Sequence, residues 1–396
     1  MYKIIVGIPL AALLASTFGV ARGMAGGMAD ISAQVGLASV APSEGDMPVF
    51  PYRGSLAIVP SRHGLAWRGM VRQGHGPGAS FRQAFTVLPA KQDGHGCVAA
   101  DFTNPSLTGR DGLVDLFCTK GACHGTCHRP YDKELWVQLP AGGFVDLARA
   151  AGITHPHARG RDAAALTLGD GRVVLAMANE RSTAYPAESV DRAYVVVRGR
   201  FSELPLYNAA GTGPGNTAST CVVTVPRGAN LPDLLFCHED GVHAYRHDGG
   251  KYRLSTAYGT FRARDLLVAD VDGNDRPDLL AVTKNVLQLR RDDGTVKTLA
   301  KLGDGHGLAR GDMDCDGKPD ILVVQSKGAG NRHILLQNTG DGLIYRPLPF
   351  PHPSTGSGDQ ATYIADWNGI GEPAMLVTHG RQMQGPTMFV AAGCKP

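Results

Sequence analysis

Two short acidic segments have the residue types and the spacing of a cation-binding loop. Residues 270–278 read DVDGNDRPD, and residues 312–320 read DMDCDGKPD. In each, oxygen-bearing side chains occupy positions 1, 3, 5 and 9, and an apolar segment follows at once. Side chains that alternate along a tight loop can converge on one point, and Ca²⁺ takes roughly six to eight oxygen ligands. The spacing therefore predicts two calcium sites on a β scaffold.

The predicted ligands form two matching sets, in which side-chain oxygens are completed by one backbone carbonyl. The sets are Asp270, Asp272, Asn274 and Asp278 with the carbonyl of Arg276, and Asp312, Asp314, Asp316 and Asp320 with the carbonyl of Lys318. An EF-hand begins similarly but needs a glutamate at position 12. Position 12 is Ala281 or Val323 here, which excludes that motif. Position 6 is Gly317 in one segment and Asp275 in the other, and we expect left-handed backbone at both.

The pattern D-x-D/N-x-D/N-G-x-P-D, followed by an apolar strand, resembles the FG-GAP or VCBS repeat of integrin α-subunit-type propellers. Residues 135–153, LWVQLPAGGFVDLARAAGI, are similar to the stretch LY-N-GDG-F-DVT-AGI that links successive blades in that family. The resemblance implies an all-β fold, a β-propeller with calcium-binding loops between the strands of its blades. It implies little about function, because propellers carry many functions.

Four weaker copies extend the repeat along the chain. Their first positions fall near residues 101, 166, 225 and 366. The copy at 101 keeps Asp101, Thr103, Asp111 and Asp115 at ligand positions, so it is a candidate for a third calcium site. The other three keep too few oxygens to form a cage.

The spacing of the copies predicts the number of blades. Residues 45–90 supply one further blade, and the strand at 387–392 can pair with an early strand to close the ring. Seven blades is the favoured count. Six is the alternative, because the first blade has no recognisable loop and terminal repeats are often atypical.

The chain opens with the pattern of a secretion signal. Lys3 precedes an apolar run from Ile4 to Val20, and small residues follow. We expect a signal peptide over residues 1–29 and one propeller domain over residues 30–396, with an uncleaved anchor as the alternative. Two pairs of small residues suit cleavage, Gly19 with Ala21 and Gly27 with Ala29. No other segment is long enough to span a membrane.

Eight cysteines behind a secretion signal indicate disulfides. Strands that enter and leave a hairpin are neighbours, which pairs the cysteines flanking two of the loops. The predicted pairs are Cys97 with Cys118, Cys221 with Cys237, Cys123 with Cys127 as a local bridge, and Cys315 with Cys394 by elimination. The segment CHGTCH also suggests haem or zinc, but haem attachment needs two residues between the cysteines, and adjacent ligands suit one zinc tetrahedron poorly.

These features favour a secreted protein, extracellular or periplasmic, in which calcium stabilises a propeller that recognises protein or glycan. The net charge of +3 is too small to argue for nucleic acid. The alternative is a polysaccharide lyase or glycoside hydrolase, which would need acids outside the loops. Such acids are Glu134, Asp146, Glu188, Asp191, Glu203 and Glu239. None lies in a recognisable catalytic motif, so we assign no catalytic residue.

Overall fold

The structure, a computed structural model, describes most of the chain between residues 28 and 391. The described residues are 28–30, 32–35, 37, 47–60, 67–87, 94–121, 134–155, 157–180, 185, 189–207, 219–325, 332–340, 343–351, 360–379 and 386–391. Within them the only helical element is a 3-10 turn, Gly76–Gly78. A helix with the length and apolar character to cross a membrane is absent from these ranges.

The remaining elements are short strands grouped into sheets that follow one another along the chain, each forming one blade. Blade 1 holds β2 (Val49–Tyr52), β3 (Ser55–Ile58), β4 (Arg68–Gln73) and β5 (Ser80–Thr86), and blade 2 holds β6 (Gly94–Ala100), β7 (Asp115–Lys120), β8 (Glu134–Gln138) and β9 (Phe144–Asp146). Blade 3 holds β10 (Arg159–Thr167), β11 (Val173–Glu180), β12 (Arg192–Val197) and β13 (Arg200–Leu204).

Blade 4 holds β15 (Ser219–Arg227), β16 (Asn230–His238), β17 (Val242–Asp248) and β18 (Lys251–Ser255), with β14 (Leu206–Tyr207) added parallel to β18. Blade 5 holds β19 (Asp265–Ala269), β20 (Asp278–Val282), β21 (Val286–Arg290) and β22 (Val296–Lys301), and blade 6 holds β23 (Gly305–Gly311), β24 (Asp320–Gln325), β25 (Arg332–Asn338) and β26 (Leu343–Pro351). Blade 7 holds β27 (Ala361–Ile364), β28 (Ala374–Val377), β29 (Thr387–Ala391) and β1 (Met28–Asp30).

This arrangement is a seven-bladed propeller, as predicted, and the six-bladed alternative is wrong. The blade missing from that alternative is blade 1, in which a tight turn at Arg53 and Gly54 replaces the acidic loop. The first strands of blades 2 to 6 contact one another in succession, and that of blade 6 contacts β27. They therefore form the inner wall of the ring.

The core lies between neighbouring blades, because each blade buries both of its faces. In β20, Leu280 and Val282 pack toward blade 6, whereas Leu279 and Ala281 pack toward blade 4. Successive side chains of a strand point to opposite faces, so a strand buried on both faces is apolar throughout. This explains why the acidic segments run directly into uninterrupted apolar strands.

The ring is closed by its two terminal strands. Strand β1 pairs antiparallel with β29, with Met28 opposite Ala391 and Asp30 opposite Phe389. The predicted pairing of the last strand with an early one is confirmed. The early strand overlaps the end of the predicted signal peptide, residues 1–29, whose boundary stays a prediction.

Two predicted disulfides are confirmed, Cys97 with Cys118 and Cys221 with Cys237. Each joins the first two strands of its blade. Cys315 is also disulfide-bonded. The predicted partners Cys123, Cys127 and Cys394 lie outside the described residues.

Candidate metal centre

The two acidic segments form the loops between the first and second strands of blades 5 and 6. The loop of blade 5 joins β19 to β20, and the loop of blade 6 joins β23 to β24. Because every blade repeats the same strand order around the ring, the corresponding loops lie on one face of the propeller. The two candidate sites are therefore neighbours on that face.

Each loop brings three carboxylates together. Asp270, Asp272 and Asp278 each offer an oxygen within 4.8 Å of the others, and Asp312, Asp314 and Asp320 do the same. Two oxygens bound to one Ca²⁺ at about 2.4 Å can lie up to about 4.8 Å apart. Both clusters therefore have the dimensions of a cation site built from oxygen ligands.

The carboxylate at position 1 folds its own loop. Asp270 accepts hydrogen bonds from the N–H groups of Asn274, at 3.1 Å, and Asp275, at 2.7 Å. Asp312 accepts the equivalent bonds from Asp316 and Gly317, at 3.0 and 2.9 Å. These bonds hold the loop closed.

Left-handed backbone at two loop positions makes the closure possible. At position 6, φ is +61° for Asp275 and +85° for Gly317, as expected from the sequence. Position 4 is left-handed too, with φ of +73° for Gly273 and +59° for Cys315. A non-glycine residue rarely adopts this conformation, so position 4 was not identified from the sequence.

The carboxylate at position 9 is buried at the start of the second strand. Asp278 accepts hydrogen bonds from the N–H groups of Val271, at 3.0 Å, and Asp292, at 3.1 Å. Asp320 accepts the same pair, from Met313 at 2.9 Å and Asn338 at 2.8 Å. One donor comes from the loop, and the other lies at the end of the third strand of the blade.

The carboxylate at position 3 carries the strongest indication that each cluster suits a cation. One oxygen of Asp272 lies 3.1 Å from the Arg291 guanidinium, and one oxygen of Asp314 accepts a hydrogen bond from Gln337. The other oxygen, Oδ1 of each residue, is buried and has no hydrogen-bond partner in the described part of the chain. A buried carboxylate oxygen without a partner is unfavourable, and a bound cation would satisfy both. The residues thus fit a hard divalent cation.

The pKa values of these acids also indicate that their negative charges repel one another in a buried place. Burial, with a smaller contribution from repulsion by Asp314 and Asp312, raises the pKa of Asp320 to about 7. Burial likewise raises the pKa of Asp278 and of Asp312, despite their backbone hydrogen bonds. A cation between the carboxylates would stabilise their charged forms and reverse these shifts.

The predicted position 5 ligands take part in the loop differently. Asn274 Oδ1 accepts a hydrogen bond from the Arg276 N–H at 2.8 Å, and Asp316 Oδ1 accepts one from Lys318 at 2.8 Å. The second oxygen of Asp316 lies 3.6 Å from the Lys318 ammonium. Their role as ligands, and that of the Arg276 and Lys318 carbonyls, stays a prediction.

The third candidate loop, in blade 2, has the same hydrogen-bonded scaffold, but an arginine side chain supplies the positive charge. Asp115 accepts hydrogen bonds from Phe102, Thr103 and Gln138, and Asp101 accepts one from Gly112. The Arg110 guanidinium lies 3.1 Å from Asp101. Asp111 instead accepts a hydrogen bond from Leu113, and the three acids do not form a compact group like those of blades 5 and 6.

In blade 4, arginines stand where a cation would bind. Asp233, at position 9, lies 2.8 Å from Arg246 and 3.5 Å from Arg227. Two of the acids considered for an enzyme also have structural partners. Asp191 accepts a hydrogen bond from Ser219, and Glu203 pairs with Arg192.

Four residues that support the two sites were missed from the sequence: Arg291, Asp292, Gln337 and Asn338. Asp292 and Asn338 occupy equivalent places at the end of the third strand of their blades. The segment QNTGDG at residues 337–342 contains the N and GDG of the blade-linking stretch. That resemblance was the signal that could have identified Asn338.

Comparisons with known proteins show the fold. No family model matches the chain, and no curated protein matches it. The structure of BBS1N in complex with ARL6DN, soaked with lead, aligns with a TM-score of 0.52 at 10% identity, covering 90% of this chain and 94% of that one. The extracellular domain of BT4673 from B. thetaiotaomicron aligns with a TM-score of 0.50 at 13% identity, covering 89% of this chain and 38% of that one.

Proposed function

We propose that this chain is a secreted propeller of the FG-GAP or VCBS type, stabilised by two calcium ions, that serves as a protein-binding scaffold. The observation that carries the calcium assignment is the buried, partnerless Oδ1 of Asp272 and Asp314, each beside two further carboxylates. All the grouped ligands are carboxylate oxygens, which suit Ca²⁺ or Mg²⁺ better than softer transition metals.

Calcium fits better than magnesium because of the number of oxygen ligands that each loop would supply. Mg²⁺ needs near-ideal octahedral geometry and keeps several waters, whereas Ca²⁺ accepts six to eight oxygens in flexible arrangements. Carboxylates at positions 1, 3 and 9, with the position 5 side chain and the position 7 carbonyl, form such an oxygen-rich set. Calcium would then bind the folded loop in preference to the unfolded chain.

The scaffold assignment is supported by the fold and by an analogy. BBS1N, a propeller of similar architecture, is seen in complex with a protein, ARL6DN. The loops on the calcium face are the natural recognition surface, since a rigid ring holds them in place. Two disulfides agree with an oxidising compartment.

Calorimetric titration of the metal-free protein with calcium tests the first part of the proposal. We expect two ions per chain, one ion for Asp272→Asn or Asp314→Asn, and none for the double variant. Asp366→Asn is the matched control, because Asp366 closes the loop of blade 7 through the N–H groups of Gly369 and Gly371 without belonging to either cluster. Absence of calcium binding in the unaltered protein would refute the assignment.

A second experiment tests the partner class. The calcium-loaded protein is presented to a glycan array and to the secreted proteins of its source. Saturable, calcium-dependent binding of one protein, lost in the double variant, supports the scaffold. Binding to glycans alone would replace it with a lectin-like role.

A further inference from the structure

The buried side chain of Asn338 lies between the two candidate metal sites. Asn338 is the last residue of β25 in blade 6 and is 2% exposed. Its N–H donates to Asp320 Oδ1, in the blade 6 cluster, at 2.8 Å. Its side-chain amide donates to the backbone carbonyl of Val271, in the blade 5 loop, at 3.0 Å. One residue thus contacts both loops.

The contact with Val271 leads directly to the blade 5 cluster. Val271 occupies position 2 of its loop, between Asp270 and Asp272. The N–H of Val271 donates to Asp278 Oδ2 at 3.0 Å. An unbroken series of buried hydrogen bonds therefore runs from Asp320 through Asn338 and Val271 to Asp278.

We propose that Asn338 couples the two sites, so that a calcium ion bound at one raises the calcium affinity of the other. This inference rests on the proposed function, since it concerns the regulation of the same sites. A cation at the blade 6 site draws in Asp320, which fixes the backbone and side chain of Asn338. The fixed amide then holds the Val271 carbonyl and, through the backbone of Val271, the N–H group that donates to Asp278, in the geometry that the second ion needs.

The link is specific to these two blades. In blade 5 the residue equivalent to Asn338 is Asp292, whose side chain lies 2.8 Å from Arg276 of its own loop. In blade 2 the equivalent residue is Gln138, whose Oε1 has no hydrogen-bond partner among the described residues. Within the described part of the chain, Asn338 is the one of the three whose side chain hydrogen-bonds to the loop of a neighbouring blade, and that blade holds the other cluster.

Ordering also explains why such a link produces cooperativity. Each cluster without a cation contains carboxylates that repel one another, so the first ion must order its loop as it binds. If that ordering extends to the second loop, the second ion has less to order. Coupling between sites typically changes affinity by about 5- to 150-fold, and the short connection here supports a value of at least about five-fold.

Calcium titration by calorimetry tests the coupling in the unaltered protein and in two variants. In the unaltered protein the second ion should bind at least about five-fold more tightly than the first, after statistical correction. Asn338→Ala removes the amide but keeps the N–H bond to Asp320, and should leave two independent sites. The matched control is Tyr363→Phe, which removes a 3.1 Å hydrogen bond to the Asp312 carbonyl from the other neighbouring blade and should leave the ratio unchanged.

A measurement that does not depend on the folding of Asn338→Ala completes the test. Asp314→Asn leaves only the blade 5 site, whose residues are unaltered, and its calcium affinity should fall at least about five-fold relative to the second ion of the unaltered protein. Two equal, independent sites in the unaltered protein, or a coupling ratio retained in Asn338→Ala, would overturn the inference. No calcium binding at all would instead overturn the proposed function.

Discussion

Removal of calcium should destabilise the folded protein by an amount that the two clusters allow us to calculate. Extracellular calcium modules bind with dissociation constants of about 10⁻⁴ to 10⁻³ M. At about 10 mM calcium, mass action then stabilises the folded state by about 1.4 to 2.7 kcal/mol per site. For two sites the free energy of unfolding should differ by about 3 to 5 kcal/mol between calcium and chelator. With an unfolding entropy of about 2.1 cal/mol/K per residue, a chain of this size should shift its melting temperature by roughly 4 to 6 °C.

The variant Asp314→Asn separates a metal effect from ordinary loss of packing. Its side chain keeps its shape and can still accept a hydrogen bond from Gln337, which contacts Asp314 now. With calcium, the variant should lose at least half of the shift. In chelator it should be at least as stable as the unaltered protein, because one charge has been removed from a repelling, buried cluster.

The assay is thermal unfolding followed by circular dichroism, in calcium and in chelator. Asp366→Asn should keep the full calcium-dependent shift, since its loop closes in the same way but belongs to neither cluster. A melting temperature that does not respond to chelator would refute the reasoning. So would an Asp314→Asn variant that is destabilised equally in both conditions.

Three further outcomes are expected. Burial raises the pKa of Asp191 to about 8. Between about pH 4 and 8 the folded state therefore holds a proton that the unfolded chain has released, and the free energy of unfolding falls as the pH rises. Asp191→Asn should flatten this pH dependence, measured by denaturant titration at several pH values. Replacing Cys97 and Cys118 by alanine opens a bridge between residues 21 positions apart, which should lower the free energy of unfolding by about 3 kcal/mol, measured in urea. If a leader is removed, mass spectrometry should place the mature N-terminus at or before Met28, as cleavage after Ala21 would. A mature chain that starts at Asp30 and still has a closed ring would contradict the role of β1 in closing it.

The sequence was informative about the fold because the repeat combines local chemistry with local structure. An acidic loop at Asp312 followed by an apolar strand needs only adjacent residues. The spacing of the six copies, with residues 45–90 as one further blade, favoured seven blades but left six as an alternative. The same locality explains the confirmed disulfide between Cys97 and Cys118, whose strands pair directly.

Features that depend on distant partners were not predictable in this way. Strand β1, of only three residues, is a strand because β29 pairs with it, and its composition resembles the end of a leader. The bond from Asn338 to Val271 joins residues 67 positions apart. The left-handed conformation of Cys315 contradicts its residue preference and follows from closure of the loop by Asp312.

Closure of the ring by β1 and β29 also constrains the order of folding. Blades in the middle of the chain, such as 5 and 6, can form from consecutive residues as soon as they are synthesised. Calcium bound to their loops would favour the folding of these blades at an early stage. Blade 7 must wait, because its outermost strand is made first and its other three strands last. Pairing elements from opposite ends of a chain is slow, since the entropy of a long connection opposes it. The final step of folding is therefore the pairing of β1 with β29, and until these strands pair, β29 has an unpaired edge.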